Sequence, residues 1–403
     1  MPSPRSEPRP RSVGAPAEGL ALPPGLAAVL GAAFRPPEAP AEPAADAPLF
    51  LETAARTGFL PRIVHRLGPT LLSALLGPRG AEEALERYRA SAFASARLVA
   101  LGRLVGRVAR EEGLRVVPLK HVALCEGGVT SPAARGAVDA DLLVADADAA
   151  RLVEALSRAG LRSTGDGARD HQHRPLVHGR GGLLELHRTI PGVRASPDGR
   201  ELDLESVVRH GLAVPAGGGA PLPLVPGPRL LLAHALAHGL YQHGLAPDAY
   251  SAFKLLADAA DLREAAGPGL LGEALPLVSS VVHADDASAA WKLPALLADG
   301  GLEAVLSRPE SPEARLLAHF VRGAYEPGYA EALKLRAATA PRAGRGPVRG
   351  LLRNAWDAVA IGPSQARVLY GADTRAKYAA ALALRPFHLC AKLVRYAVAA
   401  LRR

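Results

Sequence analysis

Two aspartates one residue apart inside an apolar run constrain this chain more than any other feature. Residues 138–144 read Val-Asp-Ala-Asp-Leu-Leu-Val, a pattern that predicts a β-strand. Successive strand side chains point to opposite faces, so Asp139 and Asp141 share one face while Ala140 and Leu142 share the other. Two close carboxylates repel each other, and burial raises that cost unless a cation or a strong donor lies between them. A divalent metal such as Mg²⁺ or Mn²⁺ is the simplest partner, because these ions prefer oxygen ligands.

Length and composition place the chain among large globular proteins. Its 403 residues, 49% of them hydrophobic, suffice for two domains or for one domain with an added helical part. No segment approaches the roughly 20 apolar residues of a membrane span, so no integral membrane association is expected. The N-terminal residues lack the apolar core of a secretory signal, which predicts a cytoplasmic location. With only Cys125 and Cys390 present, the sequence predicts neither a disulfide framework nor a cysteine-rich metal site.

The positive charge is concentrated near the C-terminus. Residues 330–403 contain 14 Lys and Arg residues against three acids, a net charge of +11, which leaves −2 for the rest of the chain. Such a region could contact nucleic acid or another anionic surface. A solvated basic face is the favoured interpretation, because the chain uses Arg far more than Lys, as GC-rich coding sequences do. Low aromatic content also argues against a surface that stacks single-stranded bases.

Changes in pattern divide the chain into four parts. Residues 1–45 are rich in Pro and Ala and predict a disordered tail. Residues 46–112 have helical periodicity, interrupted at the Gly-Pro pairs that begin at Gly68 and Gly77. Residues 113–215 alternate short strands with helices, and residues 216–403 read as a helical domain with a basic end. The sequence therefore predicts an α+β fold: a small mixed β-sheet flanked by N-terminal helices and an all-helical C-terminal domain.

Within residues 113–215, the acidic residues fall on two predicted strands. A short strand ends at Leu119 and leads into a helical turn, and the strand that carries Asp139 follows. A helix is predicted over 146–159, and a later strand reads Leu-Leu-Glu-Leu-His over 183–187. This last strand places a third carboxylate, Glu185, some 44 residues after Asp141.

These segments form an ordered set of three motifs. They are Leu119-Lys120, Arg135-x-x-x-Asp139-x-Asp141-Leu-Leu-Val and Leu184-Glu185-Leu186-His187. The set resembles the uncharacterised nucleotidyltransferase family of the polymerase-β-like superfamily. In that family a strand ends in Leu-Lys-Gly, an Arg-x-x-x-Asp-hydrophobic-Asp-Leu-Leu-Val segment follows, and a Glu-Leu-His strand comes last. The resemblance extends over residues 47 to about 265.

The resemblance implies a polymerase-β-like core and a metal-dependent reaction. Members of the superfamily transfer a nucleoside monophosphate from an NTP to an acceptor and release pyrophosphate, with Mg²⁺ or Mn²⁺ as cofactor. Carried over by position, Asp139, Asp141 and Glu185 are the catalytic carboxylates and the metal ligands. Lys120 and Arg135 are then the residues that bind the nucleotide phosphates.

Four further residues are candidates for the cleft beside these carboxylates. His234 and His238 are four residues apart and share one face of an apolar helix, but Ala235 stands where a zinc-protease motif needs Glu. The family has an Asp after such a helix, a position that Asp258 matches. His187 follows the third carboxylate by two residues. We interpret it as a structural or substrate-side hydrogen-bonding residue rather than as part of a histidine metal cluster. Each of the four also has an ordinary structural interpretation, as an interior histidine or a helix-surface acid.

One position departs from the family pattern and keeps an alternative function open. His121 stands where the family has Gly, and a side chain there would obstruct close approach of the backbone to a phosphate. The main hypothesis is an enzyme that binds an NTP and an acceptor that is a small molecule, a protein or an RNA. The alternatives are a catalytically degenerate nucleotide-binding or regulatory module, which His121 favours, and a nucleic-acid-associated protein that uses the basic C-terminal region.

Overall fold

A computed structural model describes most of the chain. It covers residues 20–36, 43–163, 173, 175–179, 182–196, 199–217, 220–242, 249–326, 328–329, 333 and 374–401. Much of the predicted tail, the predicted helical region from 334 to 373 and the last two residues lie outside the described residues. The architecture is mixed α+β, as the sequence predicts, with a five-stranded sheet, two small two-stranded sheets and a helical C-terminal region.

Three helices precede the sheet: α1, Leu26–Phe34; α2, Ala47–Arg56; and α3, Leu60–Glu111. Helix α1 differs from the predicted disordered tail, because the run Leu-Ala-Ala-Val-Leu is short but apolar enough to be buried. Leu26, Val29 and Leu30 in this helix have no solvent-exposed surface. Helix α3 is broken where the sequence predicts, since Gly68 and Gly77 have left-handed backbone angles and each precedes a proline.

The main sheet contains five strands in the order β1-β2-β5-β4-β3. Only β2 and β5 are parallel to each other, and the other described neighbours are antiparallel, so the sheet is mixed. The strands are β1, Val116–Pro118; β2, Asp139–Val144; β3, Leu161–Ser163; β4, Leu176–His178; and β5, Leu183–His187. Helix α4, Lys120–Glu126, follows β1, and α5, Asp146–Arg158, follows β2.

Two hairpin-like pairs and a short helix lead from this sheet to the C-terminal helices. Strands β6 and β7 form one pair and β8 and β9 the other, with α6 between them. The second pair spans the predicted domain boundary at residue 215. The bounds are β6, Thr189–Arg194; β7, Glu201–Asp203; α6, Leu204–Arg209; β8, Ala213–Pro215; and β9, Leu224–Pro226.

The remaining elements are helical. A π-helical turn, Ala237–Gln242, extends the helix Pro228–Leu236. A 3₁₀ turn, Leu275–Leu277, follows the helix Leu270–Ala274. No helix among the described residues is long and apolar enough to cross a membrane. The helices are α7, Pro228–Leu236; α8, Ala249–Ala266; α9, Leu270–Ala274; α10, Ala284–Ala298; α11, Leu302–Leu306; α12, Pro312–Tyr325; and α13, Arg375–Leu401.

Two apolar cores hold the sheet between helices. One face of β2 and β5, which carries Ala140, Leu142 and Leu184, packs against α3 and α5. The other core joins the N-terminal helices to the C-terminal ones, and Phe59 and Phe253 meet there edge to face with ring centroids 5.8 Å apart. The second core includes residues of α7 and α8, so these helices pack on the side of the sheet that carries the acidic residues.

Candidate functional site

Strand register brings the predicted acidic residues together. Strands β2 and β5 pair in parallel, with Asp141 directly opposite Glu185. Asp139 lies two residues before Asp141, and His187 two residues after Glu185, so all four side chains share one face of the sheet. This alternation explains why two carboxylates can occur in an apolar strand without disturbing the core behind it.

Three of these side chains form a buried group that can hold a metal ion. Among the described residues, Asp141, Glu185 and His187 each offer one ligand atom within 4.8 Å of the other two. His187 Nε2 lies 2.8 Å from Asp141 Oδ1 and 3.9 Å from Glu185 Oε2. The side chains of Asp141 and His187 are only 1% and 3% exposed. The donors are two carboxylates and one imidazole, all of them common ligands of divalent ions.

The surroundings of one Asp141 oxygen indicate that this group fits a metal ion. Asp141 Oδ2 is buried and has no hydrogen-bond partner among the described residues. A buried carboxylate oxygen without a partner is costly, so such atoms call for an explanation. A divalent cation bound by Oδ2 would satisfy it, and the arrangement of Asp141 and Glu185 fits that role.

The other oxygen of Asp141 contacts Lys120. The Leu119 backbone N–H donates to the Asp141 carbonyl oxygen at 2.9 Å, which fixes the end of β1 beside β2. Lys120 then has a left-handed φ of 45°, and its ammonium Nζ lies 2.7 Å from Asp141 Oδ1. Burial alone would raise the pKa of Asp141, but the Lys120 charge and the His187 hydrogen bond outweigh it and hold that pKa well below its usual range. The same ion pair keeps Lys120 charged, because its pKa is raised despite burial.

Asp139 is separate from the group of three, although it shares their face. It begins β2, is half-buried and lines the cavity described below. Burial, followed by the neighbouring charge of Asp141, raises the pKa of Asp139. The two aspartates of the Asp-x-Asp motif therefore have pKa values shifted in opposite directions.

A cavity of about 200 Å³ lies between the start of β2 and helices α4, α7 and α8. Three cationic side chains line it, and the sequence predicts a phosphate role for two of them, Lys120 and Arg135. The third, Lys254, comes from α8. The polar lining consists of Lys120, His121, Arg135, Asp139, His234, His238, Lys254 and Asp258. The predicted cleft residues His234, His238 and Asp258 therefore lie together in the cavity wall. The fourth predicted cleft residue, His187, belongs to the group of three formed with Asp141 and Glu185.

Arg135 and Asp258 form a buried two-point ion pair. Arg135 Nε donates to Asp258 Oδ1 at 2.6 Å, and another guanidinium nitrogen donates to Oδ2 at 2.9 Å. Both side chains are 9% exposed. This pair joins the loop before β2 to helix α8, so it connects the sheet to the C-terminal helices. Two of the guanidinium donors of Arg135 are therefore directed at a carboxylate.

Lys254 lines this site, although no sequence motif predicts a role for it. Burial, followed by the nearby Arg135 charge, lowers the pKa of Lys254 to about 7. A sequence signal existed, because Lys254 and Asp258 are four residues apart and therefore share a helix face. What the sequence lacks is any indication that this face of α8 packs against the start of β2.

Two of the three histidines in the cavity wall, His121 and His234, are neutral at physiological pH. Burial, followed by nearby positive charges, lowers the pKa of both His121 and His234 to about 3. The His234 and His238 rings meet edge to face with centroids 6.2 Å apart. His121 is 2% exposed, and its ring contacts Cys125. The left-handed backbone position falls on Lys120 rather than on His121, so the side chain at 121 forms part of the wall without straining its own backbone.

Comparison with known proteins gives one family. The family model described as "uncharacterised nucleotidyltransferase" matches residues 43–275, from just before α2 to the 3₁₀ turn after α9. This range contains the sheet, the group of three and the whole cavity lining. Neither the curated proteins nor the solved structures contain a significant match to the chain.

Proposed function

Since the chain belongs to the uncharacterised nucleotidyltransferase family, we propose that it is an enzyme that moves a nucleoside monophosphate from an NTP to a hydroxyl or phosphate acceptor, with pyrophosphate as the second product. The observation that carries this proposal is the strand register that sets Asp141 opposite Glu185 beside a cavity with three cationic residues. Nucleotidyl transfer needs that combination, because a cation-binding face must meet a site for a triphosphate.

The acidic face supplies the metal site of the proposal. Asp141 and Glu185, with Asp139 at the strand start, are the carboxylates that would hold Mg²⁺ or Mn²⁺. The bound ion would neutralise charge on the phosphate oxygens and orient the phosphoryl group that is transferred. Glu185, at 14% exposed, is the carboxylate that an acceptor hydroxyl could reach, and it would accept the proton of that hydroxyl.

The basic cavity supplies the phosphate site. Lys120 is both an ion-pair partner of Asp141 and part of the cavity wall, so it would contact phosphate oxygens closest to the metal. Lys254 would contact the far end of the triphosphate. Arg135, held on Asp258, would add positive charge from the wall. A cavity of about 200 Å³ is smaller than the roughly 300–1,000 Å³ of sites that enclose a whole drug-sized ligand. It therefore suits the phosphates, with the nucleoside and the acceptor outside.

The acceptor class stays open among small molecules, proteins and RNA. The helices beyond residue 275 lie outside the family match and are the part of the chain in which acceptor specificity would differ between members.

A second candidate is a nucleotide-binding module without catalysis. The observation that favours it is the ammonium of Lys120 on Asp141 Oδ1, because that charge occupies the carboxylate a metal needs. The two candidates differ in one measurable property. Nucleotide binding depends on the divalent metal in the enzyme and is independent of it in the module.

Calorimetric titration of each NTP, with and without Mg²⁺, tests the proposal. The samples are the wild-type chain, the double variant Asp139→Ala/Asp141→Ala and the control Asp299→Asn, which removes an exposed acid at the end of α10. Circular dichroism confirms that each variant is folded. We expect metal-dependent binding in the wild type and the control and its loss in the double variant.

Two outcomes would contradict the proposed enzymatic function. Equal NTP binding with and without metal would favour the nucleotide-binding module. Absence of binding by all four NTPs to folded wild-type protein, in both the presence and the absence of metal, would remove nucleotide as the substrate. After metal-dependent binding is established, α-labelled NTP identifies the acceptor by the transfer of label.

A further inference from the structure

We propose that His187 is itself a metal ligand, through Nε2, and that it completes the ligand set with Asp141 and Glu185. The ligand set would then contain an imidazole in addition to carboxylates. This inference rests on the metal site of the proposed function and specifies its chemistry. It assigns to His187 a direct contact with the ion, in place of the hydrogen-bonding role that its sequence position suggests.

The position of Nε2 carries the inference. Among the two ring nitrogens of His187, Nε2 is the one that faces both carboxylates, at 2.8 Å from Asp141 Oδ1 and 3.9 Å from Glu185 Oε2. Neighbouring ligands of an octahedral ion with bonds of about 2.1 Å are about 3 Å apart, and opposite ligands about 4.2 Å apart. The separation of 2.8 Å is close to that of neighbouring ligands, and the separation of 3.9 Å lies between the two values. All three donor atoms lie within 4.8 Å of one another, so one ion can be reached by all of them.

Burial and the unsatisfied oxygen give independent support. Asp141 is 1% exposed, and its Oδ2 has no hydrogen-bond partner among the described residues. Asp139, the other aspartate of the motif, does not belong to the group of three. His187 is the buried member of that group that lies 2.8 Å from Asp141, so it is in position to share an ion with this carboxylate.

An imidazole ligand changes which ion the site prefers. Mg²⁺ selects oxygen ligands and octahedral geometry, whereas first-row transition ions accept imidazole nitrogen as well. We therefore expect this site to bind Mn²⁺ more tightly than Mg²⁺, by at least about tenfold. Removal of the imidazole should weaken Mn²⁺ binding at least about tenfold and leave Mg²⁺ binding less affected.

Pulsed electron paramagnetic resonance of bound Mn²⁺ tests the ligand directly. The full chain is loaded with Mn²⁺ and inorganic tripolyphosphate, which mimics the nucleotide phosphates and contains no nitrogen. Imidazole ligation gives a ¹⁴N modulation, and incorporation of ¹⁵N-labelled histidine must change it. The variants are His187→Ala and His187→Gln, of which the second keeps a hydrogen-bond donor near Asp141. The matched control is His234→Ala, which removes a buried histidine that lines the cavity outside the group of three.

The expected result is a ¹⁴N modulation in the wild type and in His234→Ala that both His187 variants lose. Bound Mn²⁺ without histidine modulation in the wild type would overturn the inference and leave a carboxylate metal site intact. Modulation that persists in folded His187→Gln would overturn it as well. A failure of the proposed function is a different result, namely absence of metal-dependent NTP binding, and the spectrum with tripolyphosphate does not depend on it.

Discussion

The two halves of the candidate site are built in different ways. The acidic half, Asp141, Glu185 and His187, lies on two paired strands and is positioned by backbone hydrogen bonds. The basic half draws Lys254 from α8 and Arg135 from a loop, and these are more than 100 residues apart in the sequence. Strand register fixes the first half to within a residue, whereas the second depends on how distant helices pack.

Because of this difference, the two halves should respond differently to mutations in the surrounding helices. A carboxylate on a strand keeps its position when neighbouring helices shift, because the register holds it. A cation on a packed helix moves with that helix. Lys120 connects the halves, since its backbone follows β1 and its ammonium contacts Asp141 while its side chain also lines the cavity.

Removal of the charge from Arg135 should cause the largest loss of stability. Arg135→Met leaves the buried carboxylate of Asp258 without its two-point partner. We expect the free energy of unfolding, measured in urea, to fall by about 3–5 kcal/mol. Arg158→Met is the control, because the Arg158 side chain is 58% exposed and its ion pairs should contribute at most about 1 kcal/mol. Equal losses in the two variants would contradict the role of the buried pair in joining the loop before β2 to α8.

Neutralisation of Asp141 should remove the function of the acidic half and leave the basic half in place. Asp141→Asn keeps the shape of the side chain but removes its charge, so we expect Mn²⁺ affinity to fall about 100-fold. Chelation of the divalent metal with EDTA should lower the affinity of the wild type for NTP by a similar factor. Asp299→Asn serves as the exposed control, and unchanged Mn²⁺ affinity in Asp141→Asn would place the metal elsewhere.

Removal of Lys254 should weaken phosphate binding and stabilise the fold at the same time. Its pKa of about 7 when folded lies below the value of about 10.4 expected in the unfolded chain. The unfolded state therefore binds more protons between these values, and the free energy of unfolding should rise with pH from about 7 to 10. Lys254→Met should lose this slope, have a higher free energy of unfolding at pH 7 and bind Mg²⁺-ATP about tenfold more weakly.

Lys292→Met, which changes an exposed lysine of α10, is the control for Lys254. It should alter neither the pH slope nor ATP binding. A Lys254→Met variant that retains the slope would show that another group titrates in this range. Unchanged affinity for ATP would remove Lys254 from the phosphate site.

A small steric change at Gly102 should have the smallest effect. A methyl group there would lie 2.6 Å from Val122 Cγ1 and push α3 away from α4, the helix that begins with Lys120. We expect Gly102→Ala to lower the free energy of unfolding by about 1 kcal/mol and Gly102→Ala/Val122→Ala to recover part of it. Gly272→Ala, where nothing lies within 4 Å, should not destabilise. Lower stability in both single variants would rule out the contact with Val122 as the cause.

The acidic half could be predicted from the sequence because strand alternation acts over a few residues. The two-residue period of a strand predicts that Asp139 and Asp141 share one face. The ordered motifs predict the family, and the family match confirms it. The α+β fold followed from the same alternation of short strands and helices, and it is confirmed. The pairing of Asp141 with Glu185 could not be predicted, since two strands 44 residues apart carry no signal of their register.

The basic half was harder to predict because tertiary packing decides it. The partnership of Arg135 with Asp258 and the position of Lys254 depend on where α8 lies, and its amphipathic pattern does not specify the partner surface. Helix α1 was missed for a related reason. Its Pro-rich surroundings predict disorder, but nine residues are enough for a helix when Leu26 and Leu30 pack against an existing core.

A crystal structure of the chain with Mn²⁺ and α,β-methylene-ATP would show the metal and phosphate sites together. We expect an anomalous Mn²⁺ peak within about 2.5 Å of Asp141 Oδ2 and of a Glu185 oxygen, with the terminal phosphates in the cavity beside Lys254. A metal bound away from Asp141, or a triphosphate that points out of the cavity while Lys254 faces no phosphate, would contradict this expectation.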